Sequence, residues 1–163
     1  MANENKGLQD AKRNKKDEFY TQLVDVEREM AHYRNHFRGK IVYCNCDDPY
    51  ISSFFKYFAQ NFEFLGLKKL ITTCYKNQNF DLFSTNDNDK AIKIEYKGGA
   101  ANSLPTPDDI GVKILDGDGD FRSQECIEIL KECDIVVTNP PFSLFSDYVN
   151  HLEKYKKKFL IIG

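Results

Sequence analysis

The sequence lacks the features of a membrane-spanning, secreted or disulfide-bonded protein. No apolar run approaches the 18 or more residues that a membrane-spanning helix needs, and the polar start MANENKGLQD is unlike a signal peptide. The five cysteines are an odd number without C-x-x-C spacing, which argues against a disulfide framework and against a zinc ribbon. We therefore expect a cytoplasmic protein.

An excess of basic charge is also absent. The chain has 23 Lys and Arg residues against 25 Asp and Glu residues, which gives a formal net charge of −2. A domain that holds nucleic acid by itself usually carries a basic surface, because it has to neutralise phosphates. A DNA or RNA partner of this chain would need additional basic surface from elsewhere.

What is present suffices for one globular domain. The chain has 163 residues, of which 41% are hydrophobic and 29% are charged. Residues 1–16 are polar and rich in Lys and Asn, which predicts a mobile N-terminal arm, and residues 17–163 are expected to form the folded domain. No internal repeat is visible.

Apolar periodicity predicts strands that alternate with helices. The predicted helices span 21–37 with Thr21 as N-cap and Gly39 as the stop, 50–66 with Gly66 as the stop, 123–133 and 142–158. The predicted strands span 40–46, 68–75, 91–99 (an exposed hairpin strand), 111–115 (a buried strand), 134–138 and 159–163. This alternation predicts an α/β fold with a mainly parallel sheet and flanking helices. Ligands of such sheets bind beyond the carboxyl ends of the strands, where the segments DDP, DGDGDF and NPPF fall.

The segment DIVVTNPPF, residues 134–142, ends a predicted strand in a rigid corner. Each proline fixes its own φ at about −65° and pushes the residue before it toward extended geometry. Asn139 and the carbonyl of Pro140 should therefore project stiffly from the strand, followed by Pro141 and Phe142. The simplest alternative interpretation is a strand-to-helix turn without chemistry.

This corner suits the chemistry of an exocyclic amino group on an aromatic base. The nitrogen lone pair is delocalised into the ring, so the nitrogen is a poor nucleophile. The side-chain oxygen of Asn139 and the carbonyl of Pro140 can accept hydrogen bonds from both N–H groups, which favours a pyramidal nitrogen and frees the lone pair. Phe142 can stack on the base. No strong base is needed, since position and preorganised dipoles supply the rate gain.

Two groups of residues carry a resemblance to a known family. NPPF after DIVV resembles motif IV of amino-methyltransferases that use S-adenosyl-L-methionine. The wider string KKDEFYTQLVDVEREM…GKIVYCNCDDPYISSFFKYF…NF resembles the EcoRI-type adenine-specific DNA methyltransferases, from about Lys15 to the last residue. The resemblance implies a Rossmann-like methyltransferase fold, S-adenosyl-L-methionine as cofactor, and methyl transfer to N6 of an adenine that is flipped out of duplex DNA. It also implies a possible cognate restriction endonuclease.

The resemblance also assigns the site residues. The expected catalytic residues are Asn139, Pro140, Pro141 and Phe142, which would hold and stack the adenine. The loop that corresponds to motif I, beside the methionine part of the cofactor, consists of Cys44, Asn45, Cys46, Asp47, Asp48 and Pro49. The segment DEFYT corresponds to motif X and places three residues against the same ligand, Phe19, Tyr20 and Thr21. The turn near the cofactor's adenine contains Asp118 and, as the match to motif III, Asp120 and Phe121.

The sequence departs from the usual pattern of methyltransferases at three places. No glycine follows the first strand, although motif I is usually glycine-rich, and no acidic residue ends KKLITTCY to hold the ribose. The chain ends after the equivalent of the fifth strand, so we expect a partial catalytic domain without the DNA-recognition region. The missing region would explain the acidic charge balance.

Two alternatives to DNA methylation stay open from the residues. The same tetrad serves methylation of glutamine side chains in proteins and of guanine N2 in RNA, and the string YCNCDDP favours DNA. The second alternative is a truncated domain without catalysis that acts through protein contacts.

Other motifs favour ordinary structural roles. DGDGD lacks the Gly at position six and the Glu at position twelve of a calcium loop, because Phe121 and Ile127 stand there. A zinc site would need four residues that lie close in sequence, His32, His36, Cys44 and Cys46. We expect no metal. The stripe of Phe54, Phe55, Phe58 and Phe62 predicts core packing. EKYKKK, residues 153–158, could touch phosphate, but a solvated helix end is the simpler interpretation.

Overall fold

The computed structural model describes residues 22–45, 50, 52–74, 91–101 and 104–162. Its strands are β1 (Ile41–Asn45), β2 (Lys69–Cys74), β3 (Ile92–Tyr96), β4 (Lys113–Ile114), β5 (Ile135–Thr138) and β6 (Lys158–Ile161). They form one sheet in the order β4-β3-β2-β1-β5-β6.

Six α-helices flank the strands in the described part of the chain. They are α1 (Leu23–Met30), α2 (Ser53–Gln60), α3 (Phe62–Leu65), α4 (Pro107–Ile110), α5 (Gln124–Glu132) and α6 (Phe145–Lys154). Short 3₁₀ turns cover Arg34–His36 and Phe142–Leu144. Among the residues described, none of the helices is both long and apolar enough to cross a bilayer.

The middle of the sheet is parallel. β1 pairs in parallel with β2 and β5, and β5 pairs in parallel with β6. β3 is antiparallel to both of its neighbours, β2 and β4. The prediction of a mainly parallel α/β sheet is therefore confirmed. Because β2, β1, β5 and β6 run in one direction, their carboxyl ends share one edge, which we call the carboxyl edge; the opposite edge is the amino edge.

Alternate residues of the strands pack into two cores, one on each face of the sheet. In β1, Val42 and Cys44 face the core under α1, α2 and α3, whereas Ile41 and Tyr43 face the core under α5 and α6. The predicted core stripe of α2 and α3 is confirmed, since all four of its phenylalanines are buried. Both faces of the central strands are therefore covered by helices, as parallel sheets require.

The first helix differs from its prediction. It begins after Gln22, which occupies the N-cap position expected for Thr21, and it ends at Met30 rather than at Gly39. A turn and a 3₁₀ segment follow instead. The ring of Phe37 packs edge-on against Phe58 with centroids 5.2 Å apart, so tertiary packing overrides the helical periodicity here.

The predicted helix 50–66 is divided in two at Asn61. The Asn61 side-chain amide donates to the carbonyl of Tyr57 at 2.8 Å, and its backbone leaves helical geometry with φ −105° and ψ 17°. An amide side chain that bonds the local backbone in this way competes with helix propagation. The predicted stop at Gly66 is confirmed, because this residue is left-handed with φ 67°.

The predicted buried strand 111–115 is wrong. Its strand is limited to Lys113–Ile114 at the sheet edge, and Ile114 is 61% exposed. Among the described strands, β4 pairs with β3 and with no other, so an apolar residue there gains one neighbouring strand rather than two. The segment 91–99, predicted as an exposed hairpin strand, contains β3, which is antiparallel to its neighbours, but Ile94 and Tyr96 are buried rather than exposed.

Candidate active site

The ends of β1, β2 and β5 meet at the carboxyl edge. The hydroxyl of Thr138, the last residue of β5, donates a short hydrogen bond to the main-chain oxygen of Asn45, the last residue of β1. Gly119, from the DGDGDF turn, lies against the carbonyl of Cys74 at the end of β2. The structure therefore brings the start of the loop after β1, the DGDGDF turn and the start of NPPF to one place.

The NPPF corner follows directly after the last residue of β5. Pro140 is buried and Asn139 is partly buried, whereas Pro141 is exposed. Pro141 has the extended geometry φ −56° and ψ 142°, and its carbonyl accepts the Leu144 N–H at 3.0 Å to begin the 3₁₀ turn. Phe142 is 85% exposed, which leaves its ring available to a flat partner at the edge of the sheet.

Among the hydrogen bonds between residues that the structure describes, none has the carbonyl of Pro140 as its acceptor. Thr138, two residues before Pro140, forms two hydrogen bonds. Its carbonyl accepts the Ile162 N–H at 3.2 Å, and its hydroxyl donates to the main-chain oxygen of Asn45. The corner therefore presents an acceptor from an anchored strand end, which is the arrangement that oriented hydrogen bonding to an amino group requires.

A buried hydrogen-bond network of hydroxyl and amide groups joins the ends of β1 and β2 at this edge. The Thr73 hydroxyl donates to the Asn45 side-chain oxygen at 3.0 Å, and it lies 2.7 Å from the Tyr43 hydroxyl. Because the one proton of Thr73 goes to Asn45, Tyr43 must be the donor to Thr73. Burial raises the pKa of Tyr43 well above its ordinary value, so the phenol keeps this proton.

This network yields a prediction about stability. Thr138→Val keeps the shape of the side chain and removes its buried hydrogen bond to Asn45, so the free energy of unfolding should fall by about 1–3 kcal/mol. Thr72→Val is the matched control, since the buried hydroxyl of Thr72 has no hydrogen-bond partner among the described residues. Chemical denaturation of both variants should show a loss for Thr138→Val and no loss, or a gain, for Thr72→Val. Equal losses would contradict the assigned role of the Thr138 bond.

The DGDGDF turn is ordered by its own carboxylates. The Asp118 side chain accepts the Asp120 N–H at 3.0 Å, and the Asp120 carboxylate binds the guanidinium of Arg122 at 2.9 Å. The Glu125 carboxylate accepts the N–H groups of Asp116 and Gly117. These bonds hold the turn to itself and to the start of α5, and they leave Asp116 and Asp118 exposed.

Phe121 anchors this turn in the core. It is 2% exposed, and its ring packs edge-on against Tyr148 of α6, with centroids 4.9 Å apart and an interplanar angle of 89°. Cys44 and Asn45 are also buried, in and at the end of β1. The cofactor contacts assigned to these three residues and to Asp118 and Asp120 stay predictions.

Seven of the predicted site residues lie outside the described part of the chain. They are Phe19, Tyr20, Thr21, Cys46, Asp47, Asp48 and Pro49. In the part that is described, no three histidine, cysteine or acidic side chains come together as metal ligands would. Sequence reasoning missed Tyr43, Thr73 and Thr138, because a hydroxyl inside an apolar strand carries no signal of its partner across the sheet. Gly119 was visible as part of a turn, although its close approach to Cys74 was not.

Comparison with known proteins agrees with the sequence resemblance. The family model described as adenine-specific methyltransferase EcoRI matches residues 7–163. The chain is 57% identical over 160 residues to the Type II methyltransferase M.EcoRI of Escherichia coli, which covers 98% of this chain and 48% of that protein. It is 41% identical over 153 residues to the Type II methyltransferase M.MpnI of Mycoplasma pneumoniae, covering 94% of this chain and 42% of that protein.

The chain thus spans about half the length of the curated relatives it matches. No solved structure gives a significant match. The six-stranded α/β sheet, parallel at its centre, is consistent with the Rossmann-like methyltransferase fold implied by the sequence resemblance. Both the match over residues 7–163 and the two identities lead to the same conclusion: the chain belongs to the EcoRI family of adenine-specific methyltransferases.

Proposed function

We propose that this chain carries the cofactor-binding and catalytic portion of an enzyme that methylates N6 of adenine in duplex DNA. The observation that carries the proposal is the NPPF corner, where an available Pro140 carbonyl, the Asn139 side chain and an 85% exposed Phe142 ring follow the anchored end of β5. The relatives whose sequences match this chain are named Type II methyltransferases, which supports a DNA substrate and a cognate endonuclease in the same system.

The corner acts on the amino group by orientation. The side-chain oxygen of Asn139 and the carbonyl of Pro140 accept hydrogen bonds from its two N–H groups. This favours the pyramidal nitrogen that can attack a methyl group. Phe142 stacks on the base after it leaves the duplex. The nitrogen becomes cationic and therefore acidic as the new N–C bond forms, so it releases its proton to solvent and no strong base is needed beside it. The network of Tyr43, Thr73 and Asn45 keeps the strand ends in place and so limits reorganisation during the reaction.

The carboxyl edge fits S-adenosyl-L-methionine, which supplies an electrophilic methyl group when bound. This cofactor presents an ammonium group and ribose hydroxyls, and these donors favour carboxylate and carbonyl partners. The exposed carboxylates of Asp116 and Asp118 lie on the turn that packs against the end of β2. Asp47 and Asp48 follow β1 in sequence. We assign Asp118 and Asp120, with the loop Cys44 to Pro49 and the segment Phe19 to Thr21, to cofactor binding.

Binding of duplex DNA requires more basic surface than this chain carries. Its net charge is −2, so phosphate contacts of the whole enzyme should come mainly from the part that the relatives have in addition. A cytoplasmic location fits an enzyme that acts on DNA in a bacterial cell.

A thermal unfolding experiment tests the cofactor site. S-adenosylhomocysteine at 100 times its dissociation constant should stabilise the chain by about 2.7 kcal/mol, and Asp47→Ala should reduce this gain. Thr72→Val, which lies inside β2, should keep the full shift. A cooperatively unfolding chain without any shift would contradict cofactor binding by this portion. A methylation screen over DNA, RNA and protein substrates with the complete enzyme then decides the substrate, and transfer to glutamine or guanine would overturn adenine.

A further inference from the structure

A cleft lies at the amino edge of the sheet, away from the site described above. It has a volume of about 430 Å³ and is lined by residues around the starts of β1, β5 and β6 and by the 3₁₀ segment after α1. β1 alone separates the two edges by about 13 Å at the usual rise per strand residue. This size lies within the range of pockets that hold small molecules. We call it the amino-edge cleft.

Cationic side chains converge on the amino-edge cleft from two distant parts of the chain. Lys40 precedes β1, whereas Lys156 lies between α6 and β6 and Lys158 is the first residue of β6. None of the three forms an ion pair with a carboxylate of the described residues. In a chain with net charge −2, such a concentration of unpaired positive charge creates a local field that attracts anions.

The groups of opposite charge in the cleft are already engaged. The Asp134 carboxylate accepts the Ile41 N–H at 2.8 Å and so ties β5 to β1. Cys133 is buried, its thiol donates to the Leu130 carbonyl, and burial raises its pKa to about 12, so it carries no charge. Asp134 is thus the one carboxylate among the lining residues, against four lysines, so the cleft is cationic on balance.

Two lysines of EKYKKK, Lys154 and Lys157, have contacts within the fold that account for their positions. Lys157 donates to the carbonyls of Lys131 and Cys133, at 2.9 and 2.6 Å, and thereby caps the carboxyl end of α5. Lys154 lies over the ring of Tyr155, 5.5 Å from its centroid. Lys156 and Lys158 have no such structural partner among the described residues.

The backbone of Lys156 is a second, independent observation. It ends α6 in left-handed geometry with φ 55°, and it is the single non-glycine residue with positive φ in the described part of the chain. Its N–H bonds to Glu153 and the N–H of Lys157 bonds to Leu152, which is the pattern that normally takes glycine at this position. A left-handed residue other than glycine costs free energy, and its presence at the cleft is consistent with a role in contacting a ligand.

Aromatic residues form the other wall of the cleft. Tyr33, His36 and Phe37 line it from the segment after α1, and Phe159 lines it from β6. Rings of this kind provide flat apolar surface beside the lysines, so the cleft offers two kinds of contact to one ligand.

We propose that the amino-edge cleft binds a phosphomonoester attached to a flat ring, as in a mononucleotide, with the phosphate against Lys40, Lys156 and Lys158 and the ring against Tyr33 and His36. The size of the cleft, its unpaired lysines, the strained backbone of Lys156 and the aromatic wall all point to such a ligand. The proposal does not depend on the methyltransferase activity, because the two sites lie at opposite edges of the sheet.

Titration of the ¹⁵N-labelled chain with uridine monophosphate tests the proposal by NMR. This probe avoids the adenine that the cofactor site would accept. We expect amide shift changes at residues 33–40 and 156–160, and tighter binding of uridine monophosphate than of either inorganic phosphate or uridine. Changes centred on residues 116–121, equal affinity for inorganic phosphate and the nucleotide, or no binding at millimolar concentration would each overturn it.

Lys156→Gly separates binding from folding. It removes one cation and relieves the left-handed strain, so we expect about tenfold weaker binding together with a midpoint of thermal unfolding about 2–4 °C higher. Lys40→Ala should also weaken binding, whereas Lys154→Ala, a cation outside the cleft, should leave it unchanged. Unchanged affinity in both Lys156→Gly and Lys40→Ala, or an equal loss in Lys154→Ala, would refute the site.

Discussion

Replacing Asn139 with alanine should lower the rate of methyl transfer by about 10²–10³-fold in an active enzyme that contains this chain, while the affinity for S-adenosyl-L-methionine stays nearly the same. This magnitude is typical of the loss of one preorganised hydrogen-bonding group that acts in the transition state. Asn139 follows an anchored strand end, since Thr138 is bound to Asn45 through its hydroxyl and to Ile162 through its carbonyl. The measurement is single-turnover methylation of DNA together with equilibrium binding of the cofactor.

Phe142→Ala provides the matched comparison for Asn139→Ala. The Phe142 side chain is 85% exposed, so its removal should leave the free energy of unfolding unchanged. Loss of one stacking contact with a base amounts to about 1–3 kcal/mol, which predicts a roughly 5–150-fold lower rate at limiting DNA concentration. If Asn139→Ala lost cofactor affinity and rate in parallel, or if Phe142→Ala had no effect, the roles assigned to the corner would be wrong.

Gly119→Ala should lower the free energy of unfolding by about 2–5 kcal/mol, the largest effect on stability that we expect from adding a single methyl group. A Cβ at this position would lie 2.6 Å from the Cys74 carbonyl oxygen and 3.0 Å from the Ala91 Cβ. The backbone is also left-handed, with φ +79°. The expected loss combines about 1–2 kcal/mol for that conformation with about 1–3 kcal/mol for the forced contact.

Gly99→Ala isolates the first of these two contributions. Gly99 has the same φ of +79°, but a Cβ there meets nothing within 4 Å. Urea denaturation should therefore show a loss of about 1–2 kcal/mol for Gly99→Ala and a clearly greater loss for Gly119→Ala. Since Gly119 belongs to the turn with Asp118 and Asp120, its variant should also bind S-adenosylhomocysteine more weakly than Gly99→Ala does. Equal effects in the two variants would contradict a tight contact between this turn and β2.

Local patterns in the sequence predicted much of the fold. The apolar runs 40–46, 68–75 and 134–138 are strands within one residue of their predicted ends, because their short length and their β-branched residues favour a buried strand over a helix. Gly66 was identified as a helix stop from its lack of a side chain, and the model places it in left-handed geometry. The NPPF corner was predicted from proline geometry alone, since φ restriction acts within one residue of each ring.

Predictions failed where distant parts of the chain decide local structure. The first helix ends at Met30, and the turn and 3₁₀ segment that follow bring Phe37 against Phe58, a contact that the sequence pattern does not reveal. The segment 111–115 resembles a buried strand in composition, yet its place beside β3 at the sheet edge leaves Ile114 exposed. The burial of a strand depends on how many strands lie beside it in the sheet, and the apolar periodicity of a sequence does not reveal that number.

The sequence by itself determined the class of the fold, the rigid corner after β5 and the chemistry that its four residues favour. Those features follow from backbone restriction and apolar spacing, which act over a few residues. The tertiary structure alone decided that Thr138 binds Asn45, 93 positions away, and that Gly119 packs on Cys74 at the end of β2. It also decided that Lys40 joins Lys156 and Lys158 at the opposite edge. Contacts of this kind depend on the strand order of the sheet, because parallel pairing brings together residues that no local pattern relates.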